Sequence, residues 1–176
     1  MALPCGTGSR AREIALPQSL RIIGFPEPRQ LRTDVEPYGR SDLRPWEAAR
    51  VAKANTLAKL CAKVANWCDR RGITWCIENP RNSRMWDIPE LAALAHGKDV
   101  RDVDYEACRH GGLRKKKQRL RTTCAELGAL EAGCPGGHEH LQWQPYRASG
   151  GDAQFPTAAE AEYPQLFCQR YMGVLS

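Results

Sequence analysis

A short apolar run that ends in an acid, an amide and a proline occupies residues 73–80 of the sequence. Its β-branched and aromatic residues predict a buried strand over residues 73–77 of an α/β domain. Pro80 cannot donate a hydrogen bond to a sheet, so the strand must end there. Glu78 and Asn79 would then lie at the carboxyl end of the strand, where open α/β sheets hold their ligands. The alternative is a strand followed by an ordinary polar turn.

A long helix and a long loop are predicted before this strand. Apolar residues at three- and four-residue steps predict a helix over residues 46–71, with Pro45 in its first turn and Gly72 at its end. We expect its apolar stripe to pack on the sheet; the stripe comprises Val51, Ala54, Leu57, Leu60, Cys61, Val64, Trp67 and Cys68. Residues 17–45 contain five prolines and five arginines, which predicts a structured loop over an anionic partner rather than a helix.

Shorter elements are predicted after the strand. Asp87 and Glu90 have the spacing of a capping box, which predicts a short helix that ends at Gly97. A further strand is predicted near residues 100–105, and a short helix at most over residues 125–130. The last helix is predicted to begin at residue 158.

The chain length of 176 residues suits one domain with at most a small appendage. We expect a domain over residues 1–148, a linker at 149–157 and a C-terminal helix at 158–176 that packs on the same domain. No apolar run approaches the roughly 20 residues that span a bilayer, and no signal peptide is visible. The expectation is an intracellular protein without membrane contact, with the nucleus plausible if the source is eukaryotic.

Cys5 lies where a short apolar start turns into a loop that contains Gly6 and Gly8. A cysteine at such a junction is exposed enough to react. Arg10 and Arg12 follow closely and could favour the thiolate form. The alternative is a frayed N-terminus with a free thiol.

The net charge of +6 is concentrated in one block. Residues 109–121 contain no acid and seven basic residues, which are Arg109, Arg114, Lys115, Lys116, Lys117, Arg119 and Arg121. Such a block favours a polyanion such as nucleic acid, although a solvated loop is the alternative. Residues 117, 119 and 121 alternate, so on a strand they would project to one face. There they would repel one another unless an anionic or polar group faced them.

Four residues near the end of this region are of the kinds that zinc prefers: Cys124, Cys134, His138 and His140. The gap between the two cysteines is not a standard knuckle spacing, and both histidines could be plain loop residues. Cys108 and His110 are alternative ligands. Without a secretory signal, the eight cysteines are expected to be thiols or metal ligands rather than disulfides.

In order along the chain, Pro4-Cys5, Glu78-Asn79 and Lys117-x-Arg119-x-Arg121 resemble motifs of the cytosine-5 DNA methyltransferases. That family orders a Pro-Cys loop, a Glu-Asn-Val strand end and a Gln-x-Arg-x-Arg strand. Longer segments, among them Glu-Asn-Pro-x-x-Ser-x-x-Trp, Cys-x-x-x-His-x-His and Tyr-Pro-x-Leu-x-Cys, are similar to a divergent, retroelement-associated branch. The resemblance covers nearly the whole chain. It departs at Gly6 and Gly8, which replace Gln and Phe, at Pro80, which replaces Val, and at Lys117, which replaces Gln.

The resemblance implies an incomplete Rossmann-like methyltransferase sheet with flanking helices, followed by a basic part that could bind zinc. It gives Cys5 the role of nucleophile on cytosine carbon 6, because carbon 5 becomes nucleophilic only after a thiolate has added there. Glu78 would hold and protonate ring nitrogen 3. Asn79 would orient the strand end, and Arg119 would brace the base and the thiolate. The base would be flipped out of a duplex to reach them.

Nucleic-acid contacts are expected from the other cations, which are Arg10, Arg12, Arg114, Lys115, Lys116, Lys117 and Arg121. DNA is the expected partner, and RNA is not excluded. S-adenosylmethionine is the implied cofactor, but the family places its glycine-rich site before the Pro-Cys loop, and here only three residues precede Pro4. The expectation is therefore a truncated or degenerate methyltransferase.

Two other functions remain open: a noncatalytic nucleic-acid-binding module, and a thiol-rich interaction domain without nucleic acid. The alternating cations and the arginine-rich loop argue against the second. A sheet edge left by the missing half could pair with another chain or a second copy.

Overall fold

The computed structural model describes residues 1–3, 5–22, 24, 27–143, 146–147, 153–154, 156 and 159–176. The fold is mixed α/β, as the sequence predicts. The helices are α1 (Gln18–Ile22), α2 (Pro45–Asp69), α3 (Pro89–Leu94) and α4 (Gln165–Leu175), and the strands are β1 (Cys76–Pro80), β2 (Arg101–Glu106), β3 (Lys117–Thr122), β4 (Tyr146–Arg147) and β5 (Ala153–Gln154). None of the helices in these ranges is long and apolar enough to cross a bilayer.

The main sheet has three antiparallel strands in the order β1-β3-β2. β4 and β5 form a separate antiparallel pair, with Tyr146 opposite Gln154. Parallel pairing occurs at two single bridges, Ala2 with Glu78 and Tyr105 with Ala132. A Rossmann-like sheet is therefore not confirmed, although the chain does run parallel to β1 just before Cys5.

The chain divides into two compact units. The first unit comprises Met1–Asp102 and Arg119–Ala125, and the second comprises Val103–Gln118 and Glu126–Ser176. The division falls inside β2 and β3, and the expected domain over residues 1–148 stays a prediction. In the second unit α4 contacts a 3-10 helix over Glu126–Leu130. Most of the expected linker at residues 149–157 lies outside the described residues.

Between residues 54 and 67, helix α2 buries alanines and exposes its large apolar residues. Ala54, Ala58, Ala62 and Ala65 are buried in a core that they share with β1, α3 and their flanks. Alanine lets the helix axis approach its neighbours closely, and the core closes without larger side chains on that face. The prediction of the helix is confirmed, but the predicted packing stripe is wrong in its large members, because Leu57, Leu60, Val64 and Trp67 are exposed.

Trp67, which was expected in the core, lies at the surface with 44% of its area exposed, and the Arg71 guanidinium stacks 4.2 Å from its ring centre. Two local expectations are also corrected. The loop over residues 17–45 contains one helical turn, α1. The N-cap of α3 is Ile88, which has no capping side chain, so the Asp87–Glu90 capping box does not form.

The strand at the centre of the sequence prediction is shifted by three residues. β1 begins at Cys76 rather than residue 73 and ends at Pro80, where proline terminates it as expected. Glu78 and Asn79 are therefore within β1, near its end, instead of beyond it. Their side chains point to opposite faces because successive residues of a strand alternate, and Asn79 is the fully buried one of the two.

Candidate functional site

The segment that leads into Cys5 is fixed by β1. The Leu3 N–H donates to the Glu78 carbonyl (3.3 Å), and the Glu78 N–H donates to the Met1 carbonyl (2.8 Å). The buried Asn79 amide adds a side-chain bond, in which Nδ2 donates to the Leu3 carbonyl at 3.0 Å. Leu3 is thus held from its N–H and its carbonyl by neighbouring residues of one strand. Cys5, two residues further on, is exposed; Pro4 lies outside the described residues.

The turn after Cys5 rests on a buried arginine. Arg32 Nη2 donates to the Thr7 hydroxyl at 3.2 Å, and its other bonds go to the Asn55 side chain and the Pro37 carbonyl. These acceptors are neutral, and burial lowers the pKa of Arg32 to about 10. Its Nε and the Asn79 Oδ1 are both buried, and neither has a hydrogen-bond partner among the described residues. Half-satisfied polar groups of this kind are costly and are concentrated at functional sites.

Gly8 has no space for a side chain. A Cβ atom there would lie 2.7 Å from Met85 Cγ and 2.9 Å from the Met85 backbone nitrogen, whereas a Cβ on Gly6 would meet nothing within 4 Å. The backbone contact is close because the Arg84 N–H donates to the Gly8 carbonyl at 2.8 Å. This packing accounts for one departure from the methyltransferase motif, since the phenylalanine expected at Gly8 would not fit.

The two arginines that follow Cys5 contact the protein itself. Arg10 Nε pairs with Glu13 at 3.0 Å. Arg12 Nε donates to the Gly6 carbonyl at 3.1 Å, and burial lowers the pKa of Arg12. Glu13 also accepts from Arg84 Nε at 3.0 Å. These bonds hold the 3-10 helix over Arg10–Glu13 against the Cys5 turn, and the role of Arg10 and Arg12 in favouring a thiolate stays a prediction.

The alternating cations of β3 meet an anion within the first unit. The Asp102 carboxylate accepts two hydrogen bonds from Arg121, at 2.7 and 2.8 Å, and Arg119 Nη1 lies 2.9 Å from the same carboxylate. Arg121 is buried, donates to the Leu91 carbonyl at 2.8 Å and stacks 4.8 Å from the Trp86 ring centre. The Arg121 guanidinium is therefore enclosed by protein, and the nucleic-acid contact expected of it stays a prediction.

A cluster of two cysteines and two histidines lies in the second unit. One donor atom from each of Cys108, Cys134, His138 and His140 falls within 4.8 Å of the others. Cys134 Sγ lies 3.5 Å from His140 Nε2 and 3.7 Å from His138 Nε2. A tetrahedral metal with bonds of about 2.3 Å to sulfur and about 2.05 Å to nitrogen separates those atoms by about 3.6 Å. The cluster could therefore hold a metal ion.

The backbone around Cys134 is shaped for this cluster. Gly136 and Gly137 have φ of +78° and +75°, which side chains rarely adopt, and they turn the chain from Cys134 towards His138. The Gly136 N–H donates to Cys134 Sγ at 3.4 Å. Burial raises the pKa of the Cys108 thiol, and the adjacent Cys134 raises it further. A bound cation would reverse that effect by stabilising both thiolates.

Cys108 takes the position that the sequence analysis gave to Cys124. Cys124 belongs to the first unit, where it is buried and its N–H donates to the Thr122 hydroxyl at 3.0 Å. His110, the other alternative ligand, is also buried; its Nε2 lies 3.0 Å from the Leu130 carbonyl, and burial lowers its pKa. Of the two alternatives that the spacing left open, the structure brings Cys108 to the cluster and leaves His110 in the core.

The basic segment before β3 alternates between buried and exposed positions. Arg114 Nη1 pairs with Glu160 at 2.7 Å, and Lys116 Nζ donates to the Glu160 carbonyl at 2.7 Å. Lys115 and Lys117 are exposed, and Lys115 lies 3.9 Å from the Glu106 carboxylate. The segment thus presents two of its four consecutive cations to solvent.

Comparison of this chain with protein-family models, with curated proteins and with solved structures found no match. The resemblance to cytosine-5 methyltransferases therefore rests on the quoted motifs alone.

Sequence reasoning missed three residues that organise these sites. Arg32 was counted only among the cations of a loop, and nothing near it in the sequence signals its burial under Thr7. Asp102 was not singled out, although the repulsion argument for β3 required such an anion. Trp143 was also passed over; it is exposed and lies beneath the Arg114 guanidinium, 5.7 Å from ring centre to Cζ.

Proposed function

We propose that this chain carries the nucleophile-bearing part of a cytosine-5 methyltransferase-like site, in which Cys5 adds to carbon 6 of a cytosine in nucleic acid. The observation that carries the proposal is the bracket of bonds that Glu78 and Asn79 place around Leu3. These bonds fix the segment that leads to the exposed Cys5 thiol against the strand end that bears the Glu78 carboxyl group. Cys5 and Glu78 are 73 residues apart in sequence. A Rossmann-like sheet, of which the Ala2–Glu78 pairing would be one parallel edge, belongs to the same proposal.

The chemistry follows from the reactivity of the pyrimidine ring. The Cys5 thiol loses its proton to solvent and its sulfur forms a bond to carbon 6. The π electron pair between carbons 5 and 6 shifts to form a double bond between carbons 4 and 5. The π pair between carbon 4 and nitrogen 3 moves to nitrogen 3, which accepts a proton from the Glu78 carboxyl group. The resulting enamine takes a proton from water at carbon 5. Loss of the original carbon-5 hydrogen, return of the nitrogen-3 proton to Glu78 and expulsion of the thiolate restore cytosine.

The described residues do not fit the S-adenosylmethionine site that the resemblance implies. Such a site needs a glycine-rich turn between a strand and an α-helix, and β1 is followed instead by Arg81, Asn82 and Ser83. In the described ranges neither β2 nor β3 leads through such a turn into an α-helix. The chemistry proposed for Cys5 and Glu78 therefore involves no methyl donor.

The exchange of the carbon-5 hydrogen tests this proposal without a cofactor. Oligonucleotides of DNA and RNA, single-stranded and duplex, would carry tritium at carbon 5 of cytosine, and release of tritium into water would be measured. The wild-type chain should release it and Cys5→Ser should not. Glu78→Gln should slow release by about 100-fold or more.

Cys168→Ser is the matched control, because Cys168 is also an exposed thiol but lies on α4. It should release tritium at the wild-type rate. Release that persists in Cys5→Ser, or the absence of release by the wild-type chain between pH 6 and 9 on all four substrates, would rule out Cys5 as the nucleophile.

A second function has its own support. Arg119, which the resemblance assigns to the base and the thiolate, is paired with Asp102 instead. The exposed cations Lys115 and Lys117 do not depend on that role, and they support the noncatalytic nucleic-acid-binding module. Binding of the oligonucleotides without tritium release would identify that module. DNA or RNA as the partner is then decided by which oligonucleotide binds more tightly at equal salt.

We also propose that the metal of the cysteine–histidine cluster is zinc in a structural role. Two thiolates and two imidazoles form one of the closed donor sets of structural zinc, which leave no position for water or substrate. Purification without chelator should give a zinc-to-protein ratio near one. A ratio near zero that does not rise when zinc is added would refute the assignment.

A further inference from the structure

The second unit exposes three large apolar side chains next to its basic segment. Leu113 is 65% exposed, Leu141 is 50% exposed and Trp143 is 41% exposed. Isolated apolar residues are common on protein surfaces, but grouped ones mark an interaction site. We call Leu113, Lys115, Lys117, Leu141 and Trp143 the knuckle surface, because Leu141 directly follows His140 of the cluster and Trp143 lies two residues further on.

Backbone bonds hold the two segments of the knuckle surface side by side. The Leu141 N–H donates to the Leu113 carbonyl at 2.9 Å, and Arg114 Nε donates to the Gln142 carbonyl at 3.1 Å. The Arg114 guanidinium also lies over the Trp143 ring, 5.7 Å from its centre. His140 immediately precedes Leu141, so a metal bound by the cluster would anchor this segment at one end.

Along this segment, side chains that are bonded within the second unit alternate with side chains that are exposed. Arg114 and Lys116 are half-buried and are both held by Glu160. Leu113, Lys115 and Lys117 lie at the intervening positions and are exposed. The chain bends at Leu113 and Arg114, and the Lys116 N–H donates to the Arg114 carbonyl at 2.9 Å. Solvent exposure, and not strand alternation, therefore identifies Leu113, Lys115 and Lys117 as the outward-facing set. The outward-facing set therefore suits a partner that is both anionic and able to pack against apolar surface.

We propose that the knuckle surface binds single-stranded nucleic acid, with an unpaired base stacked on Trp143 and phosphates at Lys115 and Lys117. A single strand offers base faces and phosphates together, and proteins recognise it through aromatic side chains beside cations. A duplex offers phosphates but keeps its base faces stacked. This inference rests on the proposed function in two respects, that the partner is a nucleic acid and that the cysteine–histidine cluster binds zinc.

Fluorescence anisotropy with the whole, zinc-loaded chain tests it. Labelled 12-nucleotide single strands of DNA and of RNA would be compared with a duplex of the same length across a salt series. Trp143→Ala should weaken single-strand binding by roughly tenfold or more, while Trp143→Phe retains most of it because the ring still stacks. Trp46→Ala is the matched control, because Trp46 is also exposed, on α2, and should bind as the wild type does.

The lysines and the metal give two independent readouts. Replacing both Lys115 and Lys117 by alanine should reduce the slope of log affinity against log salt by about 1.4, since each phosphate contact to a single strand contributes about 0.7. Removal of zinc with a chelator should weaken binding, and restoring zinc should recover it. A loss that zinc does not restore would contradict the role given to the cluster.

Two failures are distinguishable. If the wild-type chain binds single strands but Trp143→Ala binds them equally well, or if the duplex binds as tightly as the single strand, the knuckle surface is not a single-strand site and the Cys5 proposal is untouched. If the wild-type chain binds no nucleic acid at low salt, this inference and the proposed function fall together.

Discussion

The assignment of Cys108, rather than Cys124, to the metal cluster can be tested by exchanging one atom. Replacing Cys108 with serine substitutes oxygen for one sulfur and leaves the other three donors in place. Structural zinc sites with four ligands bind with about 10–16 kcal/mol in peptides, so one ligand accounts for about 3 kcal/mol. That loss corresponds to more than about 100-fold in zinc affinity.

The geometry supports a loss of this size. Cys134 Sγ already lies 3.5 and 3.7 Å from the two histidine nitrogens, close to the edge of about 3.6 Å in a zinc tetrahedron. Cys134 and the two histidines would therefore bind the metal with little movement. Because these three ligands are already close to their bonding positions, they could not move to compensate for the loss of the Cys108 sulfur. The Cys134 N–H, which donates to Glu106 at 2.9 Å, holds the loop in place in both proteins.

The assay is competition for Zn²⁺ with a coloured chelator, with Co²⁺ substitution as a second readout. Thiolate-to-cobalt charge-transfer absorption should fall by half in Cys108→Ser, because one of two thiolates is gone. Cys124→Ser and Cys168→Ser are the controls and should keep wild-type affinity and absorption. If Cys108→Ser binds zinc within threefold of the wild type, or Cys124→Ser loses as much as Cys108→Ser, the cluster is wrongly composed.

Three further predictions concern the Cys5 turn. Asn79→Ala should lower the free energy of unfolding in urea by about 1–3 kcal/mol, because it leaves the buried Leu3 carbonyl without its donor; an unchanged midpoint would contradict the bracket. Gly8→Ala should destabilise the fold by about 1–3 kcal/mol through overpacking, while Gly6→Ala should change its stability by less than about 0.5 kcal/mol. Equal melting temperatures of these two variants would contradict the close packing at Gly8. Burial alone would raise the pKa of Glu13, but hydrogen bonds from Arg84 and Arg10 lower it. The ion pairs with these two arginines are worth at most about 1 kcal/mol. They stabilise the fold above pH 4.5, and this stabilisation is lost as the pH falls through the lowered pKa. The stability difference between wild type and Glu13→Gln should therefore shrink as the pH falls below 4.5, and a difference that stays constant from pH 6 down to pH 2 would contradict this.

The long helix shows what a sequence pattern can and cannot predict. Its existence and both ends follow from spacing, Pro45 and Gly72, and the structure agrees within two residues. Its buried face does not follow, because hydrophobicity ranks Leu60 and Trp67 above alanine. The choice is made by how closely the sheet and α3 approach the helix axis, which is a property of the assembled core.

The candidate sites divide in the same way. Cys5, Glu78 and Asn79 could be singled out because strand ends and turns have local signals. The partner of Asn79 could not be, because a bond to Leu3 spans 76 residues and depends on which segments pair. Cys108 was left as an alternative for the same reason: it precedes Cys134 by 26 residues, with β3 between them. Only the tertiary fold distinguishes it from the nearer Cys124.

The charge of the chain illustrates how pairing changes a functional argument. The sequence requires an anion opposite Arg119 and Arg121, and either nucleic acid or the protein could supply it. Asp102 supplies it for both arginines, so these two residues offer no reason to invoke a polyanion. Lys115 and Lys117 remain exposed while Arg114 and Lys116 are bound to Glu160, so the cationic surface lies where the loop enters β3. The case for nucleic acid therefore depends on that surface and on Trp143 beside it. The lysines would bind phosphates, and the Trp143 ring would stack with a base.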